Sequence, residues 1–156
     1  MRVLSIDPGF GRCGVAVLEK ANGKDVLLIS DCIETSPTLP FPERLAQVLA
    51  ACTDLAERFS PDAMAMEKLY FSNNAKTAMQ VAEVRGALLG LAGQRSLPVS
   101  EFTPGEIKSA VAGSGRADKK QIAKMIHLLV RIEKPIRLDD EYDAIAVGLT
   151  HLARAR

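Results

Sequence analysis

The pattern of apolar and polar positions divides the chain into short strand-like runs and longer helix-like segments. Continuous or alternating apolar residues predict five strands, at 2–7, 14–20, 26–33, 63–67 and 98–102. Apolar residues that recur every three or four positions predict five helices, at 42–59, 74–94, 104–112, 118–131 and 139–153. The predicted order of elements is therefore βββαβαβααα.

Turn and capping signals separate these elements. Asn22 and Gly23 predict a hairpin turn between the second and third strands. Thr103 and Glu106 form a capping box, in which each side chain accepts a hydrogen bond from the other residue's backbone amide. Because a meander of three strands precedes two β-α-β crossovers, we predict an α/β fold with a five-stranded mixed sheet and helices on both faces.

The composition limits the class of protein. At 156 residues and 47% hydrophobic content, the chain is long enough for one well-filled core, so we expect a single domain over residues 1–156. Its apolar stretches are too short to span a membrane, and it starts with a strand rather than a signal peptide. Cys13, Cys32 and Cys52 show no disulfide or zinc spacing, which predicts reduced core thiols in a cytoplasmic protein.

Carboxylates lie at three distant places along the chain. Asp7 and Glu67 each end an apolar strand, where an unpaired charge is unfavourable. Asp140 and Asp143 are three residues apart and share one face of the last predicted helix. If folding gathers all four, their repulsion raises their pKa values unless divalent cations neutralise them. Oxygen ligands without a Cys/His pattern favour magnesium or manganese.

Each of these acids also has a structural interpretation. Asp7 precedes Pro8 and Gly9, and all three residue types favour turns. Asp140 and Asp143 begin a helix, where the macrodipole stabilises acidic side chains. Two observations favour a site instead. Ligands collect beyond the carboxyl ends of strands in such sheets, and the apolar run 144–147 turns the helix face of Asp143 towards the protein.

Basic residues are concentrated in the C-terminal half. The net charge of the chain is only +1, but residues 105–137 contain eight basic and three acidic residues. Lys and Arg bind phosphates by a salt-dependent attraction that is independent of sequence. A basic segment beside a carboxylate cluster therefore suits a nucleic acid as substrate, whereas a solvated helix face would give a similar pattern.

Several separate motifs match one known family. They are Ile6-Asp7-Pro8-Gly9, Ala65-Met66-Glu67, Val84-Arg85-Gly86, the stretch 107–119, and Asp140-Glu141-Tyr142-Asp143-Ala144-Ile145-Ala146 with Thr150-His151. In these motifs and in its strand order, the chain resembles the RuvC-type Holliday junction resolvases of the ribonuclease H-like superfamily. The resemblance extends along nearly the whole chain, and Ser5 departs from it because glycine commonly stands there.

The resemblance implies a Mg²⁺-dependent endonuclease that resolves four-way DNA junctions in homologous recombination and DNA repair. Such an enzyme acts as a homodimer and cuts two strands of like polarity symmetrically, leaving 5′-phosphate and 3′-hydroxyl ends. Asp7 would bridge two metal ions, for which Mn²⁺ can substitute, and Glu67 with Asp140 or Asp143 would complete their ligands. The branch-migration proteins RuvA and RuvB are the implied protein partners.

The resemblance also implies DNA contacts. Lys108 and Lys119 match basic positions of the family and would lie beside the scissile phosphate. The other candidates for DNA binding are basic residues of the same segment and two aromatic residues after Glu67, namely Arg116, Lys120, Lys124, Tyr70 and Phe71. The two rings are adjacent and would stack on unpaired bases at the junction.

Small residues recur every four positions on the longest predicted helix, at Ala82, Gly86 and Gly90. Such a stripe allows close approach of another helix, and packing within the chain is the simpler interpretation. The resemblance implies the alternative, a homodimer interface, because two symmetric phosphates need two active sites related by a two-fold axis.

Other functions remain open at this point. A sugar kinase or actin-type domain shares the topology but needs a second phosphate loop and a longer chain. A non-catalytic junction-binding module would not need the complete set of acids. A related ribonuclease H-like nuclease acting on RNA is distinguished only by tests of substrates.

Overall fold

The computed structural model describes residues 1–68 and 75–155, which form one sheet and the helices around it. The strands are β1 (Arg2–Asp7), β2 (Arg12–Ala21), β3 (Lys24–Glu34), β4 (Ala63–Glu67) and β5 (Val99–Phe102). The helices are α1 (Phe41–Phe59), α2 (Ala75–Gln94), α3 (Pro104–Ala112), α4 (Lys119–Leu129) and α5 (Asp139–Arg154). The predicted order of elements is confirmed over these ranges.

β1 lies at the centre of the sheet, whose strand order is β3-β2-β1-β4-β5. β2 pairs antiparallel with β1 and with β3, whereas β4 pairs in parallel with β1 and with β5. The predicted mixed sheet of five strands is therefore confirmed in the described part of the chain. Because β1, β4 and β5 are parallel, their carboxyl ends meet at the same end of the sheet.

The hairpin between β2 and β3 is longer than its sequence pattern predicted. Its turn has Asn22 at φ 52° and Gly23 at φ 75°, which is the left-handed conformation that these residues adopt most readily. Pairing then continues from this turn as far as Arg12 and Glu34. The predicted end of α4 was two residues too late, because Val130 already has an extended backbone.

Alternate residues of the strands face two separate cores. On one face, residues such as Val3 and Ala65 pack with α3, α4 and α5. On the other face, residues such as Leu4 and Met64 pack with α1 and α2. The prediction of helices on both faces is therefore confirmed, and its cause is the period of two that a strand imposes on side-chain direction.

Two glycines allow α5 to lie close against β1 and β2. A Cβ atom at Gly14 would lie 1.8 Å from the carbonyl oxygen of Asp140. A Cβ atom at Gly148 would lie 2.4 Å from Cδ1 of Leu18 and 2.7 Å from Oγ of Ser5. Only glycine fits at these distances, and the close contact brings the first turn of α5 to the end of the sheet where β1 stops.

The interpretation of the small-residue stripe as internal packing was wrong. Ala82, Gly86 and Gly90 are all exposed, and a Cβ atom at either glycine would meet nothing within 4 Å in the described part of the chain. Met79 and Leu89 on the same helix are 66% and 41% exposed. The pattern of small residues is compatible with close packing but does not identify a contacting element within this chain.

The three cysteines are free thiols. Cys13 and Cys52 are fully buried, as predicted for core thiols, whereas Cys32 on β3 is only partly buried. None of the described helices is long and apolar enough to cross a membrane.

Candidate active site

The carboxylates predicted from three parts of the chain meet at one end of the sheet. Asp7 is the last residue of β1 and Glu67 the last residue of β4, and the register that pairs Ile6 with Met66 brings these ends level. Asp140 and Asp143 lie on the first turns of α5, whose backbone touches β2 at Gly14. Since Gly14 pairs with Asp7 across the first hairpin, the start of α5 lies beside the end of β1.

The pKa values reveal how strongly these acids interact. Burial, and then the charges of Asp143, Glu67 and Asp140, raise the pKa of Asp7 from 3.8 to about 7. Burial and the charge of Asp143 raise the pKa of Glu67. Burial also raises the pKa of Asp143, to which Asp139 and Asp140 add. The arrangement therefore disfavours negative charge and attracts cations.

Among the described residues, the outer acids Asp139 and Asp140 form ion pairs within 4 Å, whereas the inner acids do not. Asp139 accepts a hydrogen bond of 3.0 Å from Nζ of Lys119, and Oδ2 of Asp140 lies 3.7 Å from Nε of Arg12. The hydrogen bond to Asp139 is the main cause that raises the pKa of Lys119. Among the described residues, the inner acids Asp7, Glu67 and Asp143 have no ion pair within 4 Å.

A cleft of about 330 Å³ opens beside the inner acids. Its walls carry Glu67 and Asp143 together with three of the predicted DNA-binding lysines, which are Lys108, Lys119 and Lys120. Lys108 and Lys119 line the same cleft, and their charges oppose the burial that raises the pKa of Asp143. This side-by-side arrangement of acids and lysines suits a phosphodiester, because lysines offset its negative charge and carboxylates could hold a metal ion that activates water.

The structure does not bring every predicted residue to this cleft. Arg116 and Lys124 line a second groove, of about 480 Å³, on another side of α4. Tyr70 and Phe71 lie outside the described residues. The predicted contacts therefore divide into an inner set around the acids and an outer set farther along α4.

Several residues at the site were not predicted as members of it. Tyr142 lines the cleft, and its hydroxyl oxygen lies 2.8 Å from Nε2 of His127. Arg12 faces Asp140, and Asp139 faces Lys119. Arg12 could have been inferred from the hairpin, because pairing of β1 with β2 brings residues 12–14 beside Asp7. Tyr142 gave no such signal, because it reads as an ordinary residue between two acids.

The chemistry of the donors fits a hard divalent cation. Carboxylate oxygens are the ligands that Mg²⁺ prefers, and the inner acids combine raised pKa values with a lack of ion pairs in the described ranges. No group of three Asp, Glu, His or Cys side chains among the described residues converges on a single metal position. The acids are therefore close enough to repel one another but do not form a preassembled ligand cage.

Comparison with known proteins supplies the family. A family model of crossover junction endodeoxyribonuclease RuvC matches residues 3–151. The chain belongs to the RuvC family. The match includes both strand ends and the helix that carry the acids, so the carboxylate cluster lies within the region that defines the family.

RuvC relatives match the chain over almost its whole length. RuvC of Moorella thermoacetica is 42% identical over 155 residues, which cover 99% of this chain and 93% of the relative. RuvC of Thermotoga petrophila is 38% identical over 156 residues, which cover 100% of this chain and 94% of the relative. A solved structure of T. thermophilus RuvC in complex with a Holliday junction substrate has a TM-score of 0.90 at 33% identity, over 97% of this chain and 93% of that one.

Proposed function

We propose that this RuvC-family chain is a metal-dependent endonuclease that resolves Holliday junctions by two symmetric nicks. The observation that carries the proposal is the cluster of Asp7, Glu67 and Asp143 beside a lysine-lined cleft. A cluster of half-buried acids with raised pKa values is unfavourable without a cation, and adjacent lysines match a phosphate. A solved structure contains the T. thermophilus relative in complex with a Holliday junction substrate.

We assign the metal-binding role to Asp7, Glu67, Asp140 and Asp143, with Mg²⁺ as the preferred ion, two ions per site, and Mn²⁺ as a substitute. Bound there, the ions supply an activated water and stabilise the leaving 3′ oxygen. Asp7 would hold the ions together with the other three acids, since the charges of Asp143, Glu67 and Asp140 all act on it. Lys108 and Lys119 hold the scissile phosphate and offset the charge that develops on it, and the products carry 5′-phosphate and 3′-hydroxyl ends.

The DNA backbone is proposed to follow α4. Lys120 lines the cleft with the acids, and Lys124, one turn farther along, lines the second groove with Arg116. A strand that enters the cleft can therefore continue past both basic side chains. Tyr70 and Phe71 stay predicted stacking residues.

A homodimer is proposed to form through the exposed face of α2. This face presents small residues, Gly86 and Gly90, beside exposed apolar ones, Met79 and Leu89. Small residues allow two helices to approach, and the apolar ones lose contact with water when a second copy covers them. A two-fold dimer would give each of the two symmetric phosphates its own cleft. RuvA and RuvB stay proposed partners.

The deciding experiment measures cleavage of a labelled mobile four-way junction, a linear duplex of the same sequence and an RNA–DNA hybrid, each with Mg²⁺ or with EDTA. Paired nicks that need metal and occur only in the junction support the proposal. Binding without cutting would favour a junction-binding module, and cutting of the hybrid would favour another nuclease of this fold.

Two variants complete this experiment. Asp7→Asn is expected to lose at least about a hundredfold of the cleavage rate while it still binds the junction. Asp54→Asn changes an exposed acid of α1 that pairs with Arg58, and it is the matched control that retains cleavage. Wild-type turnover by the Asp7 variant would contradict the assignment of the site.

A further inference from the structure

A buried arginine lies behind the metal-site candidate Glu67. Arg85 belongs to α2, and its side chain is only 12% exposed. Its Nη1 donates a hydrogen bond of 2.5 Å to the carbonyl oxygen of Glu67. Its Nη2 donates to Oε1 of Glu101, which lies on the neighbouring strand β5. A single guanidinium group therefore joins the ends of two parallel strands.

The two faces of the sheet separate this arginine from the cleft. α2 packs on the face formed by residues such as Met64 and Met66, whereas the cleft lies on the face of α3, α4 and α5. The side chain of Glu67 projects into the cleft, and its backbone carbonyl is held by Arg85 from the other helix layer. Arg85 therefore contacts the backbone of Glu67 and does not line the cleft that would receive the substrate.

Glu67 is the last residue of β4, where its register partner on β5 is Phe102, and the amide of Lys68 donates a hydrogen bond of 2.8 Å to the carbonyl of Phe102. Among the described residues, the carboxylate of Glu67 has no ion pair within 4 Å. A carboxylate at the end of a strand has a direction that depends on the backbone beneath it. The planar guanidinium makes two bonds in a fixed geometry, which a flexible ammonium group cannot reproduce.

We infer that Arg85 is a positioning residue, which orients the backbone of Glu67 so that its carboxylate can bind a divalent cation in the cleft. The inference rests on the proposed function, in which Glu67 is a metal ligand. The charge of Arg85 is balanced by Glu101, so its contribution to the site is geometric rather than electrostatic. Residues that orient a metal ligand typically change metal affinity by about 10- to 100-fold when they are replaced.

The test measures metal affinity directly, by calorimetric titration of the metal-free full-length protein with Mg²⁺ and with Mn²⁺. Arg85→Met removes both hydrogen bonds at similar volume, and Arg85→Lys keeps the charge beside Glu101 but loses the two-bond geometry. Both are expected to weaken metal binding about 10- to 100-fold. The Mg²⁺ concentration for half-maximal junction cleavage should rise by the same factor, whereas the KM for the junction should stay unchanged. Arg85→Lys keeps the test informative if Arg85→Met does not fold.

Glu101→Gln is the matched control, because its amide oxygen still accepts from Arg85 and leaves the bond to Glu67 in place. Its metal affinity is expected to stay within about threefold of the wild type. A folded Arg85→Lys variant with wild-type metal affinity would overturn the inference.

A double variant separates this inference from the proposed function. Glu67→Gln should itself weaken metal binding, and adding Arg85→Lys to it should cause no further loss, because the ligand that Arg85 orients is already gone. An equal loss in both backgrounds would identify a merely structural role for Arg85 and overturn the inference. Undiminished metal affinity in Glu67→Gln would instead reject Glu67 as a ligand, and with it that part of the proposed function.

Discussion

Asp7 should destabilise the metal-free protein at neutral and alkaline pH, and Asp7→Asn should remove this cost. Burial and three neighbouring acids raise the pKa of Asp7 from 3.8 to about 7. At about 1.4 kcal/mol per pH unit, that difference corresponds to at most about 4 kcal/mol of unfavourable free energy when Asp7 is ionised. Since the folding of a typical domain is stabilised by about 5–15 kcal/mol, this single carboxylate accounts for a substantial part of the total.

The sign follows from the direction of the pKa change. Between pH 4 and pH 7 the folded protein binds a proton at Asp7 that the unfolded chain has released, so stability falls as pH rises through this window. About 3 kcal/mol of the total should be lost between pH 5 and pH 8. The asparagine variant lacks the titrating group, so its stability relative to the wild type should rise by that amount over the same range.

The assay is urea unfolding of both proteins in EDTA at pH 5 and pH 8, at one protein concentration. Asp54→Asn is the control, since an exposed surface pair contributes less than about 1 kcal/mol and should show no such pH dependence. Mg²⁺ at pH 8 should stabilise the wild type and not the Asp7 variant. A difference between variant and wild type that is equal at both pH values would refute the reasoning.

Three other changes test the path from fold to function. Gly14→Ala inserts a Cβ atom 1.8 Å from the carbonyl oxygen of Asp140, so it should displace α5 and abolish cleavage of the labelled junction. Gly93→Ala is its control, because Gly93 lies on the exposed surface of a helix, and urea unfolding should show unchanged or increased stability. Lys124→Ala should weaken junction binding but retain the cleavage rate of bound junction, and the slope of log affinity against log salt concentration should fall by about one unit. An unchanged slope in filter binding would contradict the proposed DNA path. Leu89→Glu should shift the protein from dimer to monomer in sedimentation analysis, and an unchanged dimer would exclude this face of α2.

Much of the fold was predictable because the local signals were strong. The Asn22-Gly23 turn and the Thr103 capping box occur as the sequence indicated, and the positions of the strands follow from their apolar runs. Element ends were less predictable, since hydrogen-bond pairing extended β2 and β3 beyond their apolar cores. The small residues of α2 predicted packing within the chain, which was wrong, because a pattern on one helix does not identify what covers it.

The sequence by itself determined the candidate residues for the chemistry and the elements on which they lie, because strand and helix periods and helix caps are properties of neighbouring residues. It also identified the family, because the family's motifs are short runs of neighbouring residues. Only the tertiary structure decided that Lys120 lines the cleft with the acids while Lys124 lines a separate groove. It also decided that Arg12 and Lys119 form ion pairs with the outer acids. The hydrogen bond from Arg85 to the backbone of Glu67 is a third such relation. These relations join residues that are far apart in the chain, and they depend on which faces pack together, on how closely glycine lets α5 approach the sheet, and on burial that strengthens each charge.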